Sequence, residues 1–512
     1  MRTRYSFYNF LVSLITAIVL PLVGFLKVRL FVNLYHSEIN GMQMTMAQVI
    51  TFLNICELSY SLAFRQLLFK PLAEHDHEKV LEIYAGACRI FRITGWAVLA
   101  AGAAVALVFP LFADSPLDYW QTAGTFLLLA IPYGISYFLM GPNFVIIADQ
   151  QEYRINIWIQ FISIARMFLM ILVILMKLPF VWIVLIEGAN ILTANLAARK
   201  IALKAYPWLQ EQPKGKADDS FRRNARYAVV QRASVLATTN TDNIVISMFM
   251  GYAMSSAFGN FSYLTDAIAK VIQSTITAPI NSFGNLFNDP HADKYPVFTE
   301  FLNLACYIAS IVSICLFIAM PEFVWIWMKK DPLYTVTVPM SLLFALNTFY
   351  LTIREPVIIS RDANGLYVDA KNNALLMAVS KVALSVLLIQ KLGLIGVLAA
   401  TLITNWTVDF LYNPRLVYEK VFHLNPLRYY AMILSRLAIA AAIGALGWLG
   451  WNHFVDCING STLHFVLACL VLGLCVTAAV TLVYALCYRS FRSLVRRFRS
   501  ILSRRRDRKK AG

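Results

Sequence analysis

The stretch ELSYSLAFRQLLF, residues 57 to 69, places two charged side chains in a run that is otherwise apolar or small. Glu57 and Arg65 are eight residues apart, which on an α-helix is about 12 Å along the axis and about 80° around it. The two groups are therefore too far apart to pair directly, but both fit along one broad face of a helix. A buried carboxylate can gate or couple ion movement, and a guanidinium can hold an anion.

Composition defines the surroundings of these charges. Hydrophobic residues make up 59% of the 512 residues and charged residues 14%, and the mean hydropathy is +0.62. These values exceed those of a soluble domain, and the apolar runs are continuous and much longer than the ~10 alternating residues of a membrane β-strand. The sequence therefore predicts an all-α polytopic membrane protein.

A membrane-spanning helix needs roughly 20 mostly apolar residues, and about 14 such runs are separated by short polar connections. The first run is too long for a signal peptide and lacks its small-residue cleavage site, so we expect it to remain as a helix. The predicted spans are 8–33, 42–66, 92–113, 122–147, 155–176, 180–203, 225–249, 257–285, 299–321, 336–358, 370–390, 393–413, 429–451 and 463–487.

Lysine and arginine mark one side of the membrane. Most of the 45 lie in connections and ends on the side of the N-terminus, and the opposite side carries Lys177, Lys329, Lys330 and Lys391. Because positive charge concentrates in cytoplasmic connections, both termini are predicted to be cytoplasmic. The net charge of +17 is then a topology signal and predicts no nucleic-acid partner. The tail is either an amphipathic helix on anionic lipids or a disordered basic segment.

An internal repeat is predicted when the chain is slid onto itself at a constant offset of 215 residues. Asn9 then falls on Asn224, each at the entry to a helix, and Arg166 falls on Lys381. Such a parallel duplication of six spans is typical of secondary transporters, whose substrate route lies between the halves. The predicted domains are an N-lobe with spans 1–6 (1–215), a C-lobe with spans 7–12 (216–428), two additional spans (429–487) and a basic cytoplasmic tail (488–512).

Charged residues inside the spans are the candidate functional groups, because each costs a few kcal/mol in lipid and usually faces a bundle interior or a watery cavity. Cations outnumber acids there, so such a cavity attracts an anion such as phosphate or pyrophosphate. The predicted substrate-binding cations are Lys27, Arg29, Arg65, Arg166, Lys270 and Lys381. The predicted gating or coupling carboxylates are Glu57, Asp242 and Asp266.

Local spacing refines three of these predictions. Arg166 and Lys381 have no acidic neighbour three or four residues away, so we expect unpaired cations, with a partner on another helix as the alternative. Asp266 and Lys270 have the i, i+4 spacing of a neutralising pair, which serves either structure or transport. The polar run TTNTDN, residues 238–243, is expected to line or unwind part of span 7.

Nothing in the sequence predicts an enzyme. The outer connections are short, whereas membrane polymerases and ligases need sizeable external loops, and there is no phosphate-binding glycine loop or paired-carboxylate motif. The eight cysteines have neither disulfide-framework nor metal-ligand spacing. We therefore predict no catalytic residue, no metal site and no cofactor.

Several segments resemble the polysaccharide transporter family of Wzx-type oligosaccharide flippases. The second span and its exit, FLNICELSYSLAFRQLLFKPLAEHDHEKV, resemble the family pattern of a helix ending in E-L-G-x-x-x-A that leads into Y-K-P-L-A-x-x-D. The other similar segments are TNTDNIVISMFMG, FGNFSYLTDAI, ISRDANGLYVDAKNNALL and KLGLIGVLAATLITN. The resemblance extends from about residue 7 to 430. The family belongs to the superfamily of the lipid II flippase and the multidrug MATE exporters.

The resemblance implies two six-helix lobes around a V-shaped cavity that alternates between the two faces of a bacterial cytoplasmic (inner) membrane. It implies outward movement of an undecaprenyl-pyrophosphate-linked oligosaccharide for surface polysaccharide biosynthesis. In the related lipid II flippase, cations on the first, second and eighth helices line the cavity, and Lys27, Arg29, Arg65 and Lys270 occupy comparable helices here. Anionic membrane lipids and glycan polymerase or assembly proteins are the further partners expected.

Three alternatives stay open at the level of sequence. A MATE-like drug or cation antiporter would use a cavity carboxylate, which span 1 lacks. A non-transporting scaffold of a glycan assembly complex would tolerate loss of the charges in the spans. An exporter of another anionic lipid or polymer would share the cationic cavity.

Overall fold

The computed structural model describes the backbone of residues 2–112, 114–149, 151–211, 236–277, 294–366, 369–458, 462–488 and 491–492. Side chains are described in these ranges apart from 2–18, 56–59, 61–63, 65–66, 274–277, 371 and 454–458. This part of the chain is helical and contains no strand, which confirms the all-α class. The side chains of Glu57 and Arg65 and most of the basic tail lie outside the described structure, so their predicted roles stay predictions.

Contacts between helices divide the chain into two compact units. The first comprises Met1–Ser262 with Ile389–Leu394, and the second comprises Tyr263–Leu388 with Ile395–Gly512. The predicted lobes, 1–215 and 216–428, are defined by aligning the two halves of the sequence and not by contacts. Their boundaries stay predictions.

The described part of the first unit contains seven complete α-helices. They are α1 (Arg2–Leu53), α2 (Ile55–Ala73), α3 (His77–Val108), α4 (Tyr119–Leu139), α5 (Gly141–Ala148), α6 (Tyr153–Leu175) and α7 (Val181–Ala205). Of these, α4 and α5 together correspond to one predicted span, 122–147. Helix α8 (Asp242–Thr277) begins in the first unit and ends in the second. In the first unit α3 packs on α4, and α7 packs on both α4 and α6.

The second unit is built around α9, which packs on α10, α14 and α15. Its helices are α9 (Lys294–Trp327), α10 (Val338–Ala363), α11 (Lys371–Leu392), α12 (Leu394–Thr404), α13 (Phe410–Val417), α14 (Leu427–Ile458) and α15 (Thr462–Cys487). Helices α12 and α13 are joined by a π-helical turn, Asn405–Asp409. Such turns carry an extra residue and often occur at functional sites.

By length and hydropathy, twelve helical segments of the described chain are able to cross a membrane. Two of them, Val19–Leu53 and Leu236–Gln273, each contain one residue with a positive φ. Each corresponds to two consecutive predicted spans, so the twelve segments account for the fourteen spans predicted from hydropathy. Continuous apolar runs of this length were the strongest signal in the sequence.

The two interrupting residues are His36 in α1 and Gly251 in α8. Their backbone angles are nearly the same, with φ 68° and ψ 167° at His36 and φ 82° and ψ 172° at Gly251. This region is open to glycine and strained for any residue with a Cβ atom. The two positions are separated by the 215-residue offset of the predicted repeat, so at this pair the backbone follows the predicted alignment.

Replacing His36 by glycine should stabilise the folded protein. The strain of this conformation costs a non-glycine residue about 1–3 kcal/mol, and the extra freedom of glycine in the unfolded chain costs about 0.5–1 kcal/mol. His36 is exposed, so the substitution removes little packing. We expect a net gain of about 1 kcal/mol, measured as a higher Tm of the detergent-solubilised protein.

Gly251→Ala is the matched substitution at the equivalent position, and it should lower the stability of the folded protein. A Cβ atom at Gly251 would meet no other atom within 4 Å, so conformational strain alone should lower the Tm. A Tm that falls in His36→Gly, or that is unchanged in Gly251→Ala, would contradict the strain assigned to this conformation.

Candidate functional site

Three charged side chains of the spans meet in the first unit. The Arg166 guanidinium on α6 donates from Nη1 to the Glu187 carboxylate on α7, and the two form an ion pair. The Lys27 ammonium on α1 interacts electrostatically with both groups and lies 5.1 Å from the centroid of the Phe31 ring. Two cations and one carboxylate leave this cluster with a net positive charge.

The ion pair overturns one prediction. Arg166 was expected to be unpaired because no acid lies three or four residues away, but Glu187 reaches it from the next helix, 21 residues further on. Lys381 on α11 is only 3% exposed and also interacts with another group. The expectation of an unpaired cation is therefore wrong for Arg166, and the role of both residues in substrate binding stays a prediction.

Four other predicted residues lie on α1 and α8. Arg29 is half-buried on α1, and Asp266 and Lys270 are exposed on α8. Lys270 is the charged group that acts on Asp266, as the i, i+4 spacing predicts. Asp242 occupies the first turn of α8, where the helix dipole favours a carboxylate.

The polar run before α8 interrupts the helix, as predicted. Asn240 and Thr241 are non-helical and separate a short helical segment, 236–239, from α8. The Thr241 hydroxyl donates to the Ala237 carbonyl at 3.0 Å, and the backbone N–H of Asn243 donates to the Gln48 side-chain oxygen on α1 at 3.1 Å. Backbone groups freed by the interruption are thus partly satisfied by polar side chains, as a membrane interior requires.

A buried polar seam joins α1 to α8 within the first unit. Asn40 donates to the Ser256 hydroxyl at 2.8 Å, and the hydroxyls of Thr45 and Ser255 lie 3.2 Å apart. A Cβ atom at Gly41 would lie 1.7 Å from the Tyr252 carbonyl oxygen, so only glycine permits this approach. Small residues that bring backbones together and hydroxyls that bond across helices are typical of packed membrane helices.

A second buried charge network lies in the second unit and was missed by sequence reasoning. The Asp409 carboxylate, at the end of the π-helical turn, is 1% exposed and accepts hydrogen bonds from the Tyr350 hydroxyl, Arg354 Nε and Asn413 Nδ2. Arg361 in turn donates to Asn413 Oδ1 at 3.0 Å. Arg354 and Asp409 are 55 residues apart in sequence, so spacing along one helix gave no signal.

The fold is similar to those of a solved lipid II flippase and of solved MATE transporters. No protein-family model and no curated protein matches the sequence. Solved structures do match: the lipid II flippase MurJ in its inward closed conformation has a TM-score of 0.71 and 12% identity, and the match covers 94% of this chain and 100% of that chain.

Two structures of multidrug resistance MATE transporters of the MOP superfamily match less fully. The inward-facing conformation has a TM-score of 0.56 with 11% identity, and the outward-facing conformation has a TM-score of 0.52 with 12% identity. Each match covers 78% of this chain, and they cover 97% and 93% of those chains. At these identities the comparisons show a shared fold.

Asp409→Asn should destabilise the protein because it removes the buried carboxylate that neutralises the half-buried Arg354 cation. Removing one partner of a buried ion pair costs about 3–5 kcal/mol. The expected result is a clear fall in the Tm of the detergent-solubilised protein. The control is Glu419→Gln, which removes the partner of Arg415 in an exposed pair at 2.8 Å and should leave the Tm unchanged. Equal effects of the two substitutions would contradict the role assigned to burial.

Proposed function

We propose that this protein is a flippase that moves an undecaprenyl-pyrophosphate-linked oligosaccharide from the inner to the outer leaflet of a bacterial cytoplasmic membrane. The single observation that carries the proposal is the full-length similarity of its fold to MurJ, a flippase of the lipid-linked substrate lipid II. The MATE structures cover less of the chain at lower TM-scores, so the flippase is the better template. The resemblance of several sequence segments to Wzx-type flippases is the reason for proposing an oligosaccharide as the transported headgroup.

The charges of the spans support an anionic headgroup. Lys27, Arg29 and Arg166 are described cations of the first unit, and Glu187 offsets only one of them. A pyrophosphate presents several oxygen acceptors to such groups, and bidentate arginine contacts suit it. The proposed binding cations are the six predicted from the sequence, with Glu57, Asp242 and Asp266 as proposed gating or coupling groups.

An apolar groove in the second unit supports a lipid tail. It has a volume of about 290 Å³ and is lined by residues of α9, α10 and α14 that include Phe317, Leu342, Phe349 and Trp448. Its lining is almost wholly apolar, so burial of a hydrocarbon chain there is favourable whereas burial of a sugar is not. In the proposed cycle the sugars stay in a wet cavity and the tail stays in contact with apolar surface.

The seam between α1 and α8 is the proposed gate. It joins residues 40–45, in the first half of the predicted repeat, to residues 252–256, in the second half. Its contacts are hydrogen bonds between small hydroxyl and amide side chains, which water can replace when the seam opens. A seam packed by large apolar side chains would lose far more on exposure to water.

The antiporter is the alternative with a specific observation in its favour, because MATE structures share the fold. It requires an acidic site for cationic drugs, whereas Glu187 is already paired with Arg166. The scaffold would need neither the charges nor the seam.

Deletion of this chain from its host tests the proposed substrate. The expected result is loss of one surface glycan and accumulation of its undecaprenyl-pyrophosphate precursor, measured by mass spectrometry of lipid-linked oligosaccharides. Complementation with the intact chain is the control. Unchanged precursor and glycan, in a host without a redundant transporter, would contradict the proposal.

A double variant, Thr45→Cys with Ser255→Cys, tests the gate. The two hydroxyls lie 3.2 Å apart, so thiols at these positions should form a disulfide under a mild oxidant. The cross-linked protein should lose transport of a fluorescent lipid-linked oligosaccharide in proteoliposomes, and a reductant should restore it. Each single cysteine variant should be insensitive to the oxidant. Normal transport by the cross-linked protein would exclude the seam as a gate.

A further inference from the structure

A small polar pocket in the first unit takes no part in the proposed transport route. It has a volume of about 220 Å³ and lies where α3 begins, α4 ends and α7 ends. On the predicted topology this is the cytoplasmic end of the spans. Its lining residues are Tyr84, Cys88, Phe91, Arg92, Tyr137, Phe138, Gly141, Pro142 and Arg199.

The charge of the pocket has one sign. Arg92 and Arg199 both line it, and its described lining residues include no carboxylate. Arg199 Nη1 donates to the Phe138 carbonyl at 3.1 Å, which fixes the guanidinium and leaves its other N–H groups for a ligand. Within the described part of the chain Arg92 forms no ion pair. Two arginine forks without a counter-ion favour a planar or tetrahedral oxyanion.

Asp149, a carboxylate at the same end of the spans, already has hydrogen-bond donors of its own. Asp149, which follows α5, accepts hydrogen bonds from the Tyr206 hydroxyl and from Gln151 Nε2. Burial and the Asp149 carboxylate raise the pKa of the Tyr206 hydroxyl, so it remains a donor to Asp149 at physiological pH. Asp149 is therefore held by two other donors and does not fill the pocket.

Glycine makes the space in the pocket. A Cβ atom at Gly141 would lie 3.0 Å from Cys88 Sγ and 3.2 Å from Tyr84 Cε2. The volume is below the roughly 300–1,000 Å³ of sites for drug-sized ligands. It equals the volume of about seven water molecules, which suits a phosphate group with a short ester arm and excludes an oligosaccharide.

We propose that this pocket binds a phosphate ester, held by Arg92 and Arg199. Two sources present that group: the headgroup of an anionic phospholipid of the inner leaflet, and a water-soluble phosphate ester. The site is separate from the cations proposed to hold the transported substrate, so it serves as a second binding site on the protein.

Cys88 provides a reporter inside the pocket. Its thiol lines the cavity and interacts electrostatically with Arg199 and Arg92. The experiment compares the rates at which an anionic and a cationic methanethiosulfonate modify Cys88 in the full-length protein, read by mass spectrometry of its peptide. In the double variant Arg92→Ala with Arg199→Ala, the anionic-to-cationic rate ratio should fall at least about tenfold. The ratio at exposed Cys487 should not change.

Arg89→Ala is the matched control, because Arg89 lies one turn from Arg92 on α3 and is exposed as Arg92 is, but does not line the pocket. It should leave the ratio at Cys88 within about twofold of the wild-type value, since a solvated charge outside the cavity is strongly screened. An unchanged ratio in the double variant, or an equal fall in Arg89→Ala, would overturn the proposal.

Protection of Cys88 from the cationic reagent tests the ligand itself. Glycerol 3-phosphate is the soluble probe, and vesicles of phosphatidylglycerol are compared with vesicles of zwitterionic phosphatidylcholine. Protection by glycerol 3-phosphate supports a soluble ester, and protection by phosphatidylglycerol vesicles alone supports a lipid headgroup. Gly141→Ala should reduce either protection while keeping the rate ratio. Absence of protection by every probe, or equal protection by phosphatidylcholine, would overturn the proposal.

Discussion

Every backbone N–H and C=O group inside a bilayer must find a partner within the protein, and the described structure depends on that constraint. Long helices satisfy it by themselves, so each place where a helix is interrupted needs polar help. The break at Asn240 and Thr241 has Gln48 and the Thr241 hydroxyl beside it, and the π-helical turn at 405–409 ends on the buried Asp409 network. At these two interruptions, freed backbone groups and polar side chains therefore occur together.

The same medium governs the charges. A cation at membrane depth costs several kcal/mol on insertion scales. In two of the clusters described here a carboxylate on another helical segment offsets the positive charge: Glu187 pairs with Arg166, and Asp409 pairs with Arg354. The proposed site for an anionic substrate is therefore an excess of positive charge distributed over a paired network, rather than a set of isolated cations. A network of this kind can exchange one partner for a phosphate oxygen and recover its own pairing afterwards.

Sequence reasoning succeeded where the signal was local. Hydropathy predicted the all-α class and the number of spans, because a bilayer demands long apolar runs, and the polar letters of TTNTDN predicted the interruption before α8. It failed where contacts cross between helices. Arg166 meets Glu187 on the next helix, Tyr350 meets Asp409 after 59 residues, and Arg92 and Arg199 share a pocket although more than a hundred residues separate them. No periodicity within a single helix encodes such meetings. The roles of Glu57 and Arg65 lie beyond the described side chains and stay predictions.

The pairing of Arg166 with Glu187 also bears on how the chain enters the membrane. The two residues lie on consecutive spans, α6 and α7, which a short connection joins. If each helix entered lipid alone, the translocation machinery would expose one uncompensated charge at a time, at a cost of about 2.5–3.5 kcal/mol for a residue near the helix centre. Entering as a hairpin, the two helices neutralise each other before they meet hydrocarbon. The ion pair thus favours entry of α6 and α7 together as one hairpin, whatever it contributes to the finished protein.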